Sequence, residues 1–428
     1  MKLFSSSPLR LVPLLAVALA FPLSPLPVQA EGRLFVGTGA GMAPGCASPG
    51  FTSVQTAVNA AMPGDTVYLC GTAPFAGQVI VNTSIRLTGD RGASIQASNP
   101  FPTTPSAPLP PAFAAESLFT PQAIVIVWGS DVRATISGLT VQGPLPGNGG
   151  CAEQEYGILV IGGATATLSD DTVLNIQDRN TSLFGCQFGV GIGVGRRFWP
   201  IADFSRFQVE NFVGSASITG TTVARYQKAG IVIDGPGSTA SVNGNTVTGA
   251  GSFTAMGKII AQNGIQVSRG ASGDVSNNAV SANQYSGPAG ASSGGVLVFG
   301  GCGGPLTTNV AVNHNTLADN DVGVFLFNAL PDCVSAPATN TNDRAVNNTL
   351  SNRAVTNTSG FGPGCGYQAG ISDVGNHDTI NQNEISGIGY TPAQGDPIKG
   401  CSPPGTAVVL PVDTSGAIGP KVHKNVAV

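Results

Sequence analysis

The sequence predicts a parallel β-solenoid, a chain wound into a stack of short-stranded coils. Three observations carry that prediction. The chain is poor in charge and rich in glycine: 10% of its 428 residues are charged and 59 are Gly, whereas an average soluble domain is about 25% charged. A pattern of apolar-x-x-Asn-x-apolar recurs along the chain at near-constant spacing. A second pattern, Gly followed by alternating apolar residues, recurs between its copies.

The composition narrows the alternatives. Apolar residues make up 42% of the chain and aromatic residues only 6%, so a core must be built from small and branched side chains. A chain so poor in charge is neither a coiled coil nor a highly charged disordered segment. Its glycines do not fall at every third position, which excludes collagen. A net charge of −4 gives no long-range pull toward DNA or RNA, so no nucleic-acid partner is expected.

The Asn pattern runs Val242-Asn243-Gly244-Asn245-Thr246-Val247, then Val275–Val280 with Asn278 and Val312–Leu317 with Asn315. It continues as Asn348-Thr349-Leu350 and Asn383-Glu384-Ile385, so the Asn residues stand 33, 37, 33 and 35 apart. Weaker copies are Ile136–Val141, Leu168–Val173 with Asp171, and Ile218–Val223 with Thr221. The Gly pattern appears as Gly157-Ile158-Leu159-Val160, Gly191-Ile192-Gly193-Val194, Gly230-Ile231-Val232-Ile233 and Gly264-Ile265-Gln266-Val267. It returns at Gly295, Gly323 and Gly370. Strands this short form no independent sheet. Stacked one unit above another, they pair at about 4.8 Å. Asn at equivalent turns can then donate to and accept from the coils on either side, forming an amide ladder. Asn also tolerates the left-handed backbone that a sharp corner needs.

The remaining elements follow in order. Residues 1–30 combine Lys2 and Arg10, an apolar run Leu11–Phe21 and the small-residue site Val28-Gln29-Ala30. This is the pattern of a secretory signal peptide, with no membrane attachment after its removal. Thr52-Ser53-Val54-Gln55 reads as a capping box. Val54, Ala57, Val58 and Ala61 line one face of a helix over about 52–62, ended by Pro63-Gly64-Asp65. Laid across the first coil, this helix would cover its open strand edges. Thr66–Leu69, Gln78–Val81 and Ile85–Thr88 read as the first strands. Two insertions, about 99–122 and 195–214, interrupt one continuous domain over 31–428. Thr414–Val428 is the segment left to close the far end.

Eight cysteines follow the leader: Cys46, Cys70, Cys151, Cys186, Cys302, Cys333, Cys365 and Cys401. An even count behind an export signal argues for disulfides and a secreted or periplasmic location. Composition and spacing alone leave all 105 pairings open.

Residues 51–95, from Phe51-Thr52-Ser53-Val54-Gln55 through Pro63-Gly64-Asp65-Thr66-Val67 to Ile85-Arg86-Leu87-Thr88-Gly89, resemble the opening of right-handed parallel β-helix proteins of the pectin-lyase-like superfamily. The Asn-x-apolar and Gly-Ile-x-Val units over about 134–410 resemble its successive coils. The resemblance implies a right-handed β-helix across nearly the whole mature chain. It also implies disulfides between neighbouring loops: Cys46–Cys70, Cys151–Cys186, Cys302–Cys333 and Cys365–Cys401. That superfamily includes lyases, polygalacturonases, epimerases, tailspikes and adhesins, so the fold leaves activity open.

Candidate chemistry is sparse. A glycosidase needs converging carboxylates. The adjacent ones here are Asp170-Asp171 and Asp319-Asn320-Asp321, both expected in turns, with Asp171 at a ladder position. The Asp-Asp, His-Gly and Arg-x-Lys set that marks polygalacturonases is missing. A lyase needs a base to take the proton beside a uronate carboxylate, with Ca2+ or an Arg neutralising that carboxylate. Basic residues cluster between Arg179 and Arg269, in the company of Asp178, Asp203, Glu210 and Asp234. Lys228, just before the Gly230 strand, and Arg225 are the catalytic candidates there. In the second insertion, Trp199 could stack on a sugar while Arg196 and Arg197 pair with carboxylates. Alternatively, its Phe residues pack on the solenoid flank. His314, His377 and His423 stand apart from other ligands, so no metal site is expected.

These residues point first to a secreted carbohydrate-binding or surface-interaction module facing a polysaccharide or cell-surface glycan. The alternative is a polysaccharide lyase acting by β-elimination, for which Ca2+ would be the cofactor.

Overall fold

A computed structural model describes residues 31–39, 41–99, 122–145, 155–195, 212–252, 254–255, 258–287, 291–358, 365–392 and 406–428. The chain is a right-handed parallel β-helix. Among the described residues its strands form parallel sheets of twelve, eleven and ten members. One coil shows the path. Glu155–Ile161 lies in the ten-stranded sheet, Thr165–Ser169 in the twelve-stranded one and Thr172–Leu174 in the eleven-stranded one. Val190–Val194 then returns to pair with Glu155–Ile161 one coil on. Consecutive members of each sheet are therefore equivalent strands of successive coils, as the repeat requires.

The Gly-apolar-x-apolar units are the strands of the ten-stranded sheet. Their first apolar position makes an interior column, Ile158, Ile192, Ile231, Ile265, Val296, Val324 and Ile371. Every member of it is fully buried. Branched residues suit this place because their stiff side chains pack well on a pleated surface. Their small volume keeps the three sheets close together. A second apolar cluster, with Ile126, Tyr156, Leu159 and Ile161, lies apart from the main core, with Trp128, Phe212 and Val232 packed against it.

From strand Arg133–Ser137 onward, the corner between the twelve- and eleven-stranded sheets is two residues long. Its second residue is the ladder position. Asn245, Asn278, Asn315, Asn348 and Asn383 are each buried there. Each Nδ2 donates to Oδ1 of the next Asn, at 2.9 to 3.0 Å, and the last reaches Asn425 at 2.8 Å. Each Oδ1 also accepts the backbone N–H one coil earlier, as Asn315 does from Asn278 at 2.9 Å. Each Nδ2 also donates to a carbonyl, as Asn278 does to Val242 O at 2.9 Å. The side chains thus satisfy buried main-chain groups that a corner would otherwise strand. The left-handed backbone falls on the preceding residue instead. Asp170, Gly244, Asn277, His314, Asn347 and Gln382 carry it, with φ between 55° and 68°. This corrects the expectation that the ladder Asn itself takes that conformation: one residue turns the chain and the next fills the interior.

The helix spans Val54–Ala60, with Val54, Ala57 and Val58 buried in the main core. Its capping differs from the sequence reading. Ser53 is the N-cap, accepting from Thr56 N. Gln55 points away from the helix start, toward strand Val79–Val81. Its Oε1 accepts from Ile80 N at 2.6 Å and its Nε2 donates to Ile80 O at 3.1 Å. That strand is the outermost member of the ten-stranded sheet, so the Gln55 amide stands in for a missing neighbour.

At the far end, Thr414–Val428 does not lie across the last coil. Lys421–His423 and Val426–Ala427 add strands to the twelve- and eleven-stranded sheets. Val422, which follows the buried Ile380 in a core column, stays 40% exposed because no further coil covers it among the described residues.

Cys46 and Cys70 are bonded, tying the turn Pro44–Ala47 to the end of strand Thr66–Leu69, with Cα atoms 5.5 Å apart. Cys302 and Cys333 are bonded across the loops that follow two paired strands, with Cα atoms 4.7 Å apart. Cys186 is also disulfide-bonded. Cys151 and Cys401, the leader 1–30, and nearly all of both insertions lie outside the described residues.

Candidate functional site

The x position of each Gly-apolar-x-apolar strand points away from the core. In successive coils it is Leu159, Gly193, Val232, Gln266 and Leu297. Gly193 interrupts this outer column. A Cβ there would lie 2.7 Å from Tyr156 Cδ1, so only Gly leaves the depression open. Around it is a pocket of about 290 Å³. Tyr156 closes one end, and Leu297 and Phe299 the other.

Lys228 lies in the pocket wall, placed by the turn that leads into strand Ala229–Asp234. Its Nζ donates to Ala261 O at 2.7 Å. No other acceptor holds it among the described residues, which leaves donors for a guest. Burial disfavours the ammonium and lowers its pKa to about 8. Asp234 and Arg269 also line the pocket, as a bidentate pair. Arg269 Nε donates to Asp234 Oδ1 at 2.8 Å, and a terminal guanidinium nitrogen to Oδ2 at 2.6 Å. Burial alone would lower the guanidinium, but the Asp234 charge and its hydrogen bonds outweigh that and hold it charged.

A run of polar contacts joins these groups. Asn263 donates to Gln266 at 2.9 Å, Gln266 to Ser268 at 2.9 Å, and Ser268 to Asp234 at 2.8 Å. These side chains come from two neighbouring coils, so the pocket stays rigid as long as the strand pairing holds. One pocket therefore combines a cation near its titration point, a neutralised ion pair, amides, and apolar ends.

Of the two catalytic candidates, the structure brings only Lys228 into this pocket. Arg225 is exposed on the corner after strand Thr222–Ala224, at φ 56°, and does not line it. Arg196, Arg197 and Trp199 lie outside the described residues. Phe212, just beyond them, packs against the second apolar cluster. Arg269 pairs with an acid, as expected for that basic interval.

The Asp319-Asn320-Asp321 triplet, expected in a turn, proves to be three separate devices. Asp319 pairs with the exposed Arg353 at 2.5 Å. Asn320 is buried and accepts from Asn283 Nδ2 at 2.8 Å. Asp321 is buried and accepts from Tyr285 N and Ser293 N at 2.8 and 3.0 Å. His314 is an exposed corner residue.

Sequence reasoning assigned no role to Tyr156, Asn263 or Gln266. The available signal was the x column, where a Gly among larger residues marks a gap. The oxygens in the pocket do not fit a calcium ion: its one carboxylate, Asp234, is committed through both oxygens to Arg269. Among the described residues no group of three or more His, Cys, Asp or Glu side chains is arranged to hold a metal. No described helix is long and apolar enough to cross a membrane.

No protein-family model matches the chain. No curated protein matches it either. Solved structures do. A periplasmic alginate epimerase, AlgG, is 11% identical with a TM-score of 0.43, over 86% of this chain and 76% of its own. The polygalacturonase of Erwinia carotovora is 11% identical with a TM-score of 0.38, over 94% and 97%. The pectin methylesterase of Aspergillus niger is 12% identical with a TM-score of 0.32, over 85% and 88%. At such identities the likeness is one of fold.

Proposed function

We propose that this chain is an exported β-helix protein that binds an acidic carbohydrate through the pocket at Lys228. The observation that carries the reading is a desolvated ammonium with unspent donors in a pocket with apolar ends. An anion entering there gains charge-assisted hydrogen bonds that an exposed lysine would not give. Tyr156, Leu297 and Phe299 offer apolar surface to the C–H faces of a sugar ring, and Gln266 and Asn263 offer amides to its hydroxyls. Disulfides and the leader-like residues 1–30 support an extracellular or periplasmic setting.

Calorimetric titration with oligogalacturonate and with alginate oligomers at pH 6.5 tests this reading. Lys228→Met should weaken binding by about tenfold or more. Affinity should also fall as the pH rises through about 8, where the ammonium loses its proton. Equal affinity for both proteins, or no pH dependence, overturns it.

Lyase action is the second reading, and one observation favours it. An amine whose pKa lies near 8 is in part neutral near pH 7 and can accept the proton beside a uronate carboxylate. The group that would neutralise that carboxylate is the weak point, since Arg269 is already held by Asp234. Unsaturated product absorbing near 235 nm, sought with and without added Ca2+, separates the two. Product formed by the native protein and not by Lys228→Met would replace binding with β-elimination.

A further inference from the structure

The corner between the ten- and twelve-stranded sheets holds a second set of buried polar side chains, and here they are carboxyls. Asp343 precedes strand Arg344–Val346, and Asp378 precedes its neighbour Thr379–Asn381 one coil on. Asp373 ends strand Cys365–Asp373. All are at most 1% exposed. Asp378 Oδ1 accepts from Thr341 Oγ1 at 2.6 Å and from Asp343 N at 2.7 Å. Asp373 Oδ1 accepts from Gly375 N at 2.7 Å. Neither Oδ2 receives an N–H or O–H donor. The two carboxyls converge on Gly375: Asp373 Oδ1 takes its N–H, and Asp378 Oδ2 lies so close over it that a Cβ there would collide.

Two ionised carboxylates set together in the interior, each with an oxygen that no donor reaches, repel; one proton shared between them removes that cost. We propose that Asp373 and Asp378 share one proton, and that this acid-held clasp locks the last coils and opens in alkali. One carboxyl donates its O–H to the other, so the pair carries a single negative charge. Hydroxide removing that proton leaves two carboxylates facing each other in the interior, and the coils must part to hydrate them.

Among the described residues no Lys or Arg pairs with either carboxyl; the group whose positive charge would favour ionised Asp378 is the exposed His377. Asp343 packs above Asp378, its Oδ1 accepting from Val310 N and its Oδ2 from Asn328 Nδ2, both at 2.8 Å. Asp413, from the next strand of the ten-stranded sheet, is held by Tyr367 Oη at 2.8 Å. His377 is exposed, with Nδ1 against Asn376 Oδ1. Arg344 and Lys421, which open the flanking strands, are exposed. Burial first, and the Asp378 charge second, raise Asp373 to about 8, while burial raises Asp378 as well. A native state that keeps a proton the unfolded chain releases loses stability as pH rises from the ordinary carboxylate range through about 8.

The test is hydrogen–deuterium exchange of the full chain from pH 6 to 9.5. The reference is segment 239–252, which holds no titratable side chain and lies several coils from the clasp along the solenoid. In the native protein, exchange in 365–381 should rise with pH more steeply than the reference, by about tenfold over the range. In Asp373→Asn the amide sits where Oδ2 was and donates to Asp378 at every pH, so the excess rise should vanish. Asp378→Asn should do the same by donating the other way, which keeps the test open if one variant fails to fold. The proposal falls if the native segment follows the reference, or if both variants keep the native pH response.

Discussion

Two corners of one coil meet the same demand with different chemistry. At each, a side chain accepts the backbone N–H of the coil before it: Asn278 N donates to Asn315 Oδ1, and Asp343 N donates to Asp378 Oδ1. They part company at the second terminal atom. An amide nitrogen is a donor at every pH, so the Asn ladder is complete whatever the solvent. A carboxyl oxygen donates only when protonated, so the Asp corner is complete only in acid. The comparison teaches that a solenoid can make some of its joints permanent and others conditional by exchanging NH2 for OH.

The largest effect should come from deleting a permanent joint. Asn315→Ala removes an acceptor used by both Asn278 N and Asn278 Nδ2, and a donor used by Val275 O and Asn348 Oδ1. The buried groups left behind cost about 3–4 kcal/mol in total. That cost should appear as a lowered urea midpoint at pH 5 and pH 8 alike. A loss confined to one pH would break the comparison at its root.

Asn315→Asp converts a permanent joint into a conditional one. The new Oδ2 would face Val275 O and Asn348 Oδ1, both acceptors, and needs a proton to bond either. Raised by burial, such a carboxyl favours the native state in acid and costs stability as pH climbs from the ordinary carboxylate value to its raised folded value. The variant should lie near the native midpoint at pH 5 and fall about 2–3 kcal/mol below native at pH 8. Urea titrations at the two pH values measure the difference. Equal losses at both would mean that shape, not protonation, sets the cost.

How visible were these joints in the sequence? The Asn corner was legible because one residue repeats once per coil, and the local string around it repeats too. The Gly-Ile-x-Val strands were legible for the same reason. The carboxyl corner was not. Its members come from two coils and two elements, and only Asp343 and Asp378 hold equivalent places before a strand. The Lys228 pocket was half legible: the cation was visible beside its strand, but the gap at Gly193 and the wall at Tyr156 arise only when coils stack. Gln55 misled because its local partner and its distant one look the same in a string. The edge strand at Ile80 won it, offering two unpaired backbone groups where the helix start offered one.

The smallest and most discriminating test uses a substitution the protein already carries. Asp171 stands at the ladder position of an early coil, where Oδ1 accepts from Leu139 N at 3.0 Å and the buried Oδ2 has no donor. The register Ile136, Leu168, Ile218, Val242 makes Ile136 O the equivalent of the carbonyl that Asn278 Nδ2 reaches. Burial raises the Asp171 carboxyl to about 7, against a partial offset from the Leu139 bond. A native proton that the unfolded chain releases means stability falls between the ordinary carboxylate value and about 7. Asp171→Asn supplies an N–H that never leaves. It should leave the urea midpoint unchanged at pH 4 and raise stability by about 1–2 kcal/mol at pH 8. A gain at pH 8 would show that the two corners differ by one proton and nothing else. A loss at both pH values would show that the early coils hold Asp171 for a reason other than hydrogen bonding.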